Sequence, residues 1–210
     1  MKRFLIGTAL AVPLGLWLWG TVIGPALAQC PGVNCTTPVA ISIPVDGIRN
    51  TYGAAARAFV PAAAATDVAT LCGTSAKTIR VTAVTFSGRA TTEVNGDVTI
   101  VKRSAANSGG TSASLTAVPY SNAFGAAVAA AASYTANPTL GTSVGSLSTR
   151  QYYFGNLTSA RGAPDIVWTF GDRPASAVIL RSSGQCLTVN LNQATYSGGL
   201  VNVSFEWTEE

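Results

Sequence analysis

A strict two-residue alternation near the end of the chain is the feature that most limits how it can fold. In segment 187–192, the apolar residues Leu187, Val189 and Leu191 occupy every second position. This is the period of a β-strand with one buried face, because a helix repeats its apolar positions about every 3.6 residues. The sequence therefore predicts a half-buried strand.

The alternation resumes after a turn-forming run at 196–199. Val201, Val203, Phe205 and Trp207 are apolar, and the residues between them are polar. We expect the two segments to form an antiparallel hairpin with a loop or bulge at its glycines. Their common apolar face requires a second layer of strands to cover it.

Further segments have the composition of short strands, with β-branched and aromatic residues bounded by turn formers. They are 39–45, 78–87, 97–102, 152–154, 166–170 and 177–180. We expect 78–87 to pair with 97–102 across a turn at Asn95 and Gly96. Within 78–87 the large apolar residues change from odd positions, Ile79 and Val81, to even positions, Val84 and Phe86. Either both faces of this strand are covered or a bulge lies near Ala83.

The intervening segments are less regular. Segment 46–61 is interpreted as a loop with a strand at its end, and 104–114 as a flexible surface loop. The alanine-rich segment 126–132 has high helix propensity, but its position between predicted strands favours an extended conformation. A turn is expected at 171–174. Together the segments predict an all-β fold: an antiparallel β-sandwich, jelly-roll-like, over residues 39–210.

The N-terminus has the three parts of a secretory signal peptide. Two basic residues are followed by the mostly apolar segment 4–23, and residues 26–28 fit the small-x-small cleavage rule. We predict a signal peptide over 1–28 and a mature chain that begins at Gln29. Two alternatives remain open. A permanent membrane anchor is disfavoured by Pro13, Gly15 and Gly20 in the apolar segment, and acylation of Cys30 is disfavoured by the bulky residue before it.

All four cysteines follow the predicted cleavage site. An even number of cysteines in an exported chain favours disulfides. Three pairings are possible, and we favour Cys30 with Cys35, within a lead-in at 29–38, and Cys72 with Cys186. A zinc site is disfavoured because the chain has no histidine and no Cys-x-x-Cys pair.

Composition argues against several classes of function. Removal of Lys2 and Arg3 with the leader lowers the net charge from +4 to +2, which is too weak a field to favour nucleic acid. Without histidine, the chain lacks the usual general base and the commonest metal ligand. We therefore predict a protein that is not an enzyme, with no catalytic residues, no metal site and no cofactor.

Several polar residues receive structural interpretations. Asp67 lies at a predicted strand end, where aspartate commonly supports a turn. The Lys102–Arg103 pair is interpreted as an edge charge that blocks aggregation, with a phosphate contact as the alternative. A glycosidase without histidine would need two carboxylates that flank a cleft, and most of the acidic residues lie at expected turns instead.

Four aromatic residues form a possible ligand platform: Tyr152, Tyr153, Phe154 and Trp168. If their rings were exposed together, they would suit stacking against a sugar. Aromatic residues at strand positions are more often buried, so a core role is the competing interpretation.

Several runs resemble a group of small, uncharacterised β-rich proteins of bacterial and phage-derived sequences. The runs are Lys77–Thr82, Val101–Ser104 followed by Asn107–Thr111, Tyr134–Gly141 and Glu206–Glu210. The resemblance covers roughly residues 66–210. It implies a non-catalytic structural or surface role, virion-like and self-associating, and it brings no established active site.

These observations predict an exported structural or surface-assembly protein. Its few charges leave strand edges weakly protected, which favours a homo-oligomer, most simply a trimer, through strand faces that include 152–154. A secreted module that binds carbohydrate or a cell surface is the alternative function. The expected location is the periplasm, the extracellular space or the cell surface, with no membrane contact after cleavage.

We predict that the exported protein begins at Gln29 and carries no free thiol. Intact-mass spectrometry with and without thiol alkylation measures both properties. A chain that retains Met1, or that takes up alkylating reagent before reduction, would contradict the prediction.

Overall fold

The computed structural model of the chain describes residues 49–158, 164–170, 177–193 and 198–210. These residues belong to one compact unit that spans Val45–Glu210. The predicted signal peptide, the lead-in with Cys30 and Cys35, the strand at 39–45 and the turn at 171–174 all lie outside the described residues. No helical segment in the described ranges is long and apolar enough to span a bilayer.

Twelve strands and no helix form the described part of the chain. They are β1 (Asn50–Phe59), β2 (Asp67–Cys72), β3 (Ile79–Ala90), β4 (Val94–Arg103), β5 (Thr111–Leu115), β6 (Val118–Pro119), β7 (Ala130–Ala136), β8 (Ser143–Asn156), β9 (Ile166–Thr169), β10 (Val178–Leu180), β11 (Cys186–Asn190) and β12 (Leu200–Glu209). The predicted all-β class is confirmed.

The strands belong to one curled, mixed sheet with the order β5-β7-β2-β11-β4-β8-β3-β12-β1-β6. Strands β9 and β10 also pair with β3. The strand pairs are antiparallel, except that Gly155 and Asn156 at the end of β8 run parallel to the end of β3. This short contact joins one group of six strands to the remainder of the sheet. In sheet order the six strands are β5, β7, β2, β11, β4 and β8.

The predicted terminal hairpin is wrong, although its apolar positions are buried as expected. Strand β11 is also not half-buried, because Thr188 is buried together with its apolar neighbours. Residues 187, 189, 191, 201, 203, 205 and 207 are all buried. However, β11 pairs with β2 and β4, whereas β12 pairs with β1 and β3. The two-residue period fixes which face of a strand is buried but does not select the partner strand.

The predicted hairpin of 78–87 with 97–102 is also wrong. Strand β3 pairs with β12, and β4 pairs with β8 and β11. Asn95 and Gly96, predicted as a turn, lie inside β4 opposite Tyr153 and Tyr152. The turn formers have been absorbed into a strand because β8 supplies their backbone partners.

Of the two alternatives left open for segment 78–87, the structure shows the bulge near Ala83. Glu206 lies opposite Ala83, while the next residue of β12, Trp207, lies opposite Val81. Thr82 is therefore the extra residue on β3. The insertion restores one buried face, because Val81 and Val84 both point into the core despite their unequal parity.

The less regular segments are more extended than their composition suggested. Strand β1 begins at Asn50, so the segment predicted as mainly loop is mainly strand, and Thr111–Leu115 of the predicted surface loop forms β5. The extended conformation favoured for the alanine run is confirmed from Ala130, where β7 begins. Sheet pairing overrides the helix propensity of alanine here.

The core contains two aromatic groups and one disulfide. Tyr52 stacks on Trp207 with ring centroids 5.9 Å apart. Phe86, Tyr152 and Phe154 pack edge to face at 4.6–5.9 Å. The predicted Cys72–Cys186 disulfide is confirmed, and it links the directly opposed ends of β2 and β11.

We expect Trp207→Ala to destabilise the fold by about 3–5 kcal/mol, because the ring is fully buried and its Nε1 donates to Glu209 at 3.1 Å. Thr208→Val is the control, since the Thr208 hydroxyl is buried without a hydrogen-bond partner among the described residues. Denaturant unfolding with the disulfide intact measures both. A Trp207→Ala variant within about 0.5 kcal/mol of the parent would contradict this packing.

Candidate functional site

One side of β8 is an open sheet edge. Strand β8 pairs with β4 along one side from Ser143 to Phe154. On its other side, only Gly155 and Asn156 pair with a strand of the described chain. We call the stretch 143–151 the β8 edge, and at about 3.3 Å per residue it is about 30 Å long.

Two bulges display apolar side chains at this edge. Ile100 and Val101 of β4 lie opposite Ser148 and Ser146, so Leu147 is an extra residue on β8. The next register shift makes Val144 extra in the same way. Residues 143–147 are exposed at both odd and even positions. Val144 and Leu147 are therefore both accessible, with exposed fractions of 63% and 47%.

The β8 edge has little protection against pairing. Strand edges are usually blunted by lysine, proline, short length or inward-pointing charge. Residues 143–151 contain one charged side chain, Arg150, and no proline. The bulges bend one end of the edge, so a partner would meet Val144 and Leu147 there and the regular backbone at 148–151.

Other open edges in the described part of the chain are better protected. The outer side of β1 beyond Gly53 carries the exposed charge of Arg57 and a bulge between Ala56 and Phe59. Within that bulge Ala58 has a φ of 48° and donates its N–H to the Asn202 side chain. Strand β5 spans Thr111–Leu115 only. These features leave the β8 edge as the longest weakly protected one in those ranges.

The side of β8 that faces the core holds the edge in place. Trp168 of β9 is buried beneath β8 and donates its Nε1 to the Ser148 Oγ at 3.0 Å. The Arg150 guanidinium lies 5.7 Å from the centroid of the same indole ring, within the range of a cation–π contact. These contacts fix the edge at Ser148 and Arg150, whereas residues 143–147 are all exposed.

The aromatic platform predicted from the sequence is not formed. Tyr152, Phe154 and Trp168 are buried in the core, and Tyr153 is 46% exposed. The alternation of β8 separates Tyr153 from its two neighbours, because successive side chains point to opposite faces. Its hydroxyl hydrogen-bonds to Glu93, which raises the pKa of Tyr153 and keeps the phenol neutral.

The strongest polar cluster is one that the sequence did not predict. Asp67, at the start of β2, accepts bonds from Arg103 Nε and Nη2 at 2.7 Å each. The side-chain amides of Asn107 and Asn190 donate to the same carboxylate, also at 2.7 Å. Arg103 further donates to the Gly141 carbonyl at 2.8 Å. The turn interpretation of Asp67 and the edge interpretation of Arg103 are both wrong.

The Asp67 cluster is structural. A carboxylate offers about four acceptor sites, and four N–H groups occupy them here. Asp67 and Arg103 are both buried. Their contact links the first residue of β2 to the last residue of β4, and it leaves the carboxylate no capacity for a substrate. No group of three or more possible metal ligands occurs among the described residues.

Glu209 is a second buried carboxylate with its sites occupied. It accepts N–H bonds from the Val128 and Ala129 backbone and from the Trp207 indole, at 2.9–3.1 Å. The Lys77 ammonium lies 3.3 Å away. Glu209 therefore fixes the segment before β7 against the end of β12, a role that its position near the C-terminus did not reveal.

Comparison of the chain with family models, curated proteins and solved structures finds no match.

We expect Asp67→Asn to lower the free energy of unfolding by about 3–5 kcal/mol, because it leaves the buried Arg103 guanidinium without its counter-charge. Asp97→Asn is the matched control, since Asp97 is exposed on β4. Urea unfolding of the two variants beside the parent measures the difference. Equal losses in both variants would show that the buried pair has no special role.

Proposed function

We propose that this protein is an exported, non-enzymatic structural protein that assembles with copies of itself through the β8 edge. The observation that carries the proposal is an open strand edge with one charge and two exposed apolar side chains, Val144 and Leu147. Such an edge offers unpaired backbone groups and apolar surface at the same place.

Pairing of the β8 edge with another strand improves both backbone hydrogen bonding and the burial of apolar surface. The outward N–H and C=O groups of 143–151 exchange water for backbone partners, as in any added strand. Burial of Val144 and Leu147 supplies the favourable hydrophobic term, at about 25 cal/mol per Å² of apolar surface. Because Trp168 and Arg150 already hold β8 in place, little conformational entropy is lost on pairing.

A second copy of the chain suits this edge. Two β8 edges can pair antiparallel about a two-fold axis, so that the same residues meet from both sides. Centred near Leu147, this arrangement brings two apolar side chains together and keeps the two Arg150 side chains well apart. The contact is self-complementary, and its simplest product is a dimer.

The trimer expected from the sequence would need a different second surface, because three-fold contacts are heterologous. The face assigned to it included Tyr152 and Phe154, which are buried in the core. The proposal therefore moves the contact from that strand face to the β8 edge. The native mass decides between two copies and three.

The cellular setting and finer architecture are part of the same proposal. The Cys72–Cys186 disulfide is compatible with an oxidising compartment, which supports export to the periplasm, the extracellular space or the cell surface. We propose that the curled sheet packs as a β-sandwich of jelly-roll type. The contact of Phe86 on β3 with Tyr152 and Phe154 on β8, across the two strand groups, supports this arrangement.

We expect the mature protein to associate in the micromolar range and Leu147→Lys to weaken its association constant by about tenfold or more, since both copies then carry a charge at the contact. Sedimentation equilibrium over a range of protein concentrations measures the constant. Leu140→Lys is the control, because Leu140 is also an exposed leucine but lies outside β8.

Two results would overturn the proposal. One is a parent protein that sediments as a monomer at every concentration. The other is an equal effect of Leu147→Lys and Leu140→Lys, which would place the contact elsewhere. Thermal melting of both variants confirms that the charge has not changed the fold.

A further inference from the structure

An open groove of about 430 Å³ lies on the outer face of the sheet, separate from the β8 edge. Its floor consists of two rows of residues across β1, β12 and β3. One row is Gly53, Glu206 and Ala83, and the other is Ala55, Ser204 and Thr85. Small side chains therefore form a nearly flat base with a single carboxylate in it.

The segment around β6 forms one wall of the groove. Val118 pairs with Gly53 of β1, and the Tyr120 N–H donates to the Thr51 carbonyl at 2.9 Å. These bonds place the Tyr120 side chain across the sheet face. Its hydroxyl reaches Glu206 Oε2 at 2.9 Å, and the residue remains 63% exposed.

Glu206 is held in a fixed orientation by neutral donors. Tyr120 donates to one oxygen, and the Thr82 hydroxyl, on the β3 bulge, donates to the other at 3.2 Å. None of the ion pairs formed among the described residues involves Glu206. The carboxylate thus keeps acceptor capacity toward the groove, unlike Asp67 and Glu209.

Gly53 lies directly against the Tyr120 ring. A Cβ at this position would lie 3.2 Å from Tyr120 Cε1 and 3.6 Å from its hydroxyl oxygen. An alanine there would need the ring to move by only a few tenths of an ångström, whereas a branched side chain such as valine would displace it further from Glu206. Gly53 therefore contacts the Tyr120 ring, and the Tyr120 hydroxyl in turn donates to the Glu206 carboxylate.

We propose that this groove binds a neutral saccharide of one or two pyranose units. The lining contains hydroxyl groups of Thr85, Thr116 and Ser204 and the Glu206 carboxylate, and none of its described residues is cationic. Anionic ligands are therefore disfavoured, and a ligand that offers several hydroxyl donors is matched. The exposed Tyr120 ring and the flat floor suit the apolar C–H face of a sugar.

The size of the groove favours a saccharide over a simple cation as its ligand. An ammonium group beside a ring and a carboxylate would satisfy the charge of Glu206. However, a volume of about 430 Å³ falls in the range of small-molecule sites, far above that of a single ion. A single ammonium group is also too small to reach all of the hydroxyl groups of Thr85, Thr116 and Ser204 along the groove.

Cellobiose, maltose and N,N′-diacetylchitobiose, each titrated into the disulfide-bonded mature protein, test the proposal. The readout is the amide chemical shift in ¹H–¹⁵N correlation spectra. We expect one of the three to shift residues 53, 83, 85, 120, 204 and 206 with millimolar affinity. The β8 edge should stay unchanged, so failure of the assembly proposal would not affect this outcome.

Three variants in the groove and one control outside it test whether the sugar binds at Tyr120 and Glu206. Tyr120→Ala removes the ring, and Glu206→Gln removes the carboxylate charge while it preserves the shape. Each should weaken binding by about tenfold. Gly53→Val should have the same effect because it displaces the ring, without loss of either group. Tyr153→Ala, at an exposed tyrosine outside the groove, is the control and should leave the affinity unchanged.

Three results would overturn the inference. The first is no shift with any of the three sugars at tens of millimolar. The second is a shift that Tyr120→Ala and Glu206→Gln leave intact. The third is a set of amide shifts at the groove residues with Nα-acetyl-lysine methylamide, whose side-chain ammonium is free, and none with the sugars. That result would make the ligand a cation.

Discussion

Strand β12 lies between β3 and β1 in the sheet and pairs with both of them over almost its full length. The pairing of these three strands therefore depends on β12. Strand β1 has no other long partner in the described chain, since its contact with β6 covers only Tyr52 and Gly53. The first described strand thus joins the sheet through the last. Burial of Trp207 against Tyr52 reinforces that pairing from the core side.

Two saturated carboxylates fix the ends of strands that lie far apart in the sequence. Asp67 joins β2, β4 and β11 through Arg103 and two asparagines. Glu209 joins β12 to the segment before β7. A buried charge is costly unless every acceptor site is filled, so each carboxylate favours one arrangement of the surrounding backbone. The Cys72–Cys186 disulfide adds a covalent link between β2 and β11.

The same pairing pattern leaves two surfaces with different chemistry. At the β8 edge, bulges at Val144 and Leu147 place apolar side chains beside open backbone groups, which suits a second copy of the chain. On the outer face of β1, β12 and β3, small residues leave room for a groove at Glu206 and Tyr120. Assembly and ligand binding could therefore coexist, because neither surface uses the residues of the other.

By itself the sequence determined the all-β class and the buried apolar positions of the terminal strands, because side-chain period and composition are local properties. It left a bulge near Ala83 as one of two alternatives and favoured Cys72–Cys186 among three possible pairings. Tertiary structure alone decided which strands are neighbours. It therefore decided that Tyr152 and Phe154 enter the core, that Arg103 meets Asp67, and that no described strand pairs with the open side of the β8 edge. The physical reason is that a strand's pattern specifies its buried face, whereas its partner depends on contacts across the whole chain.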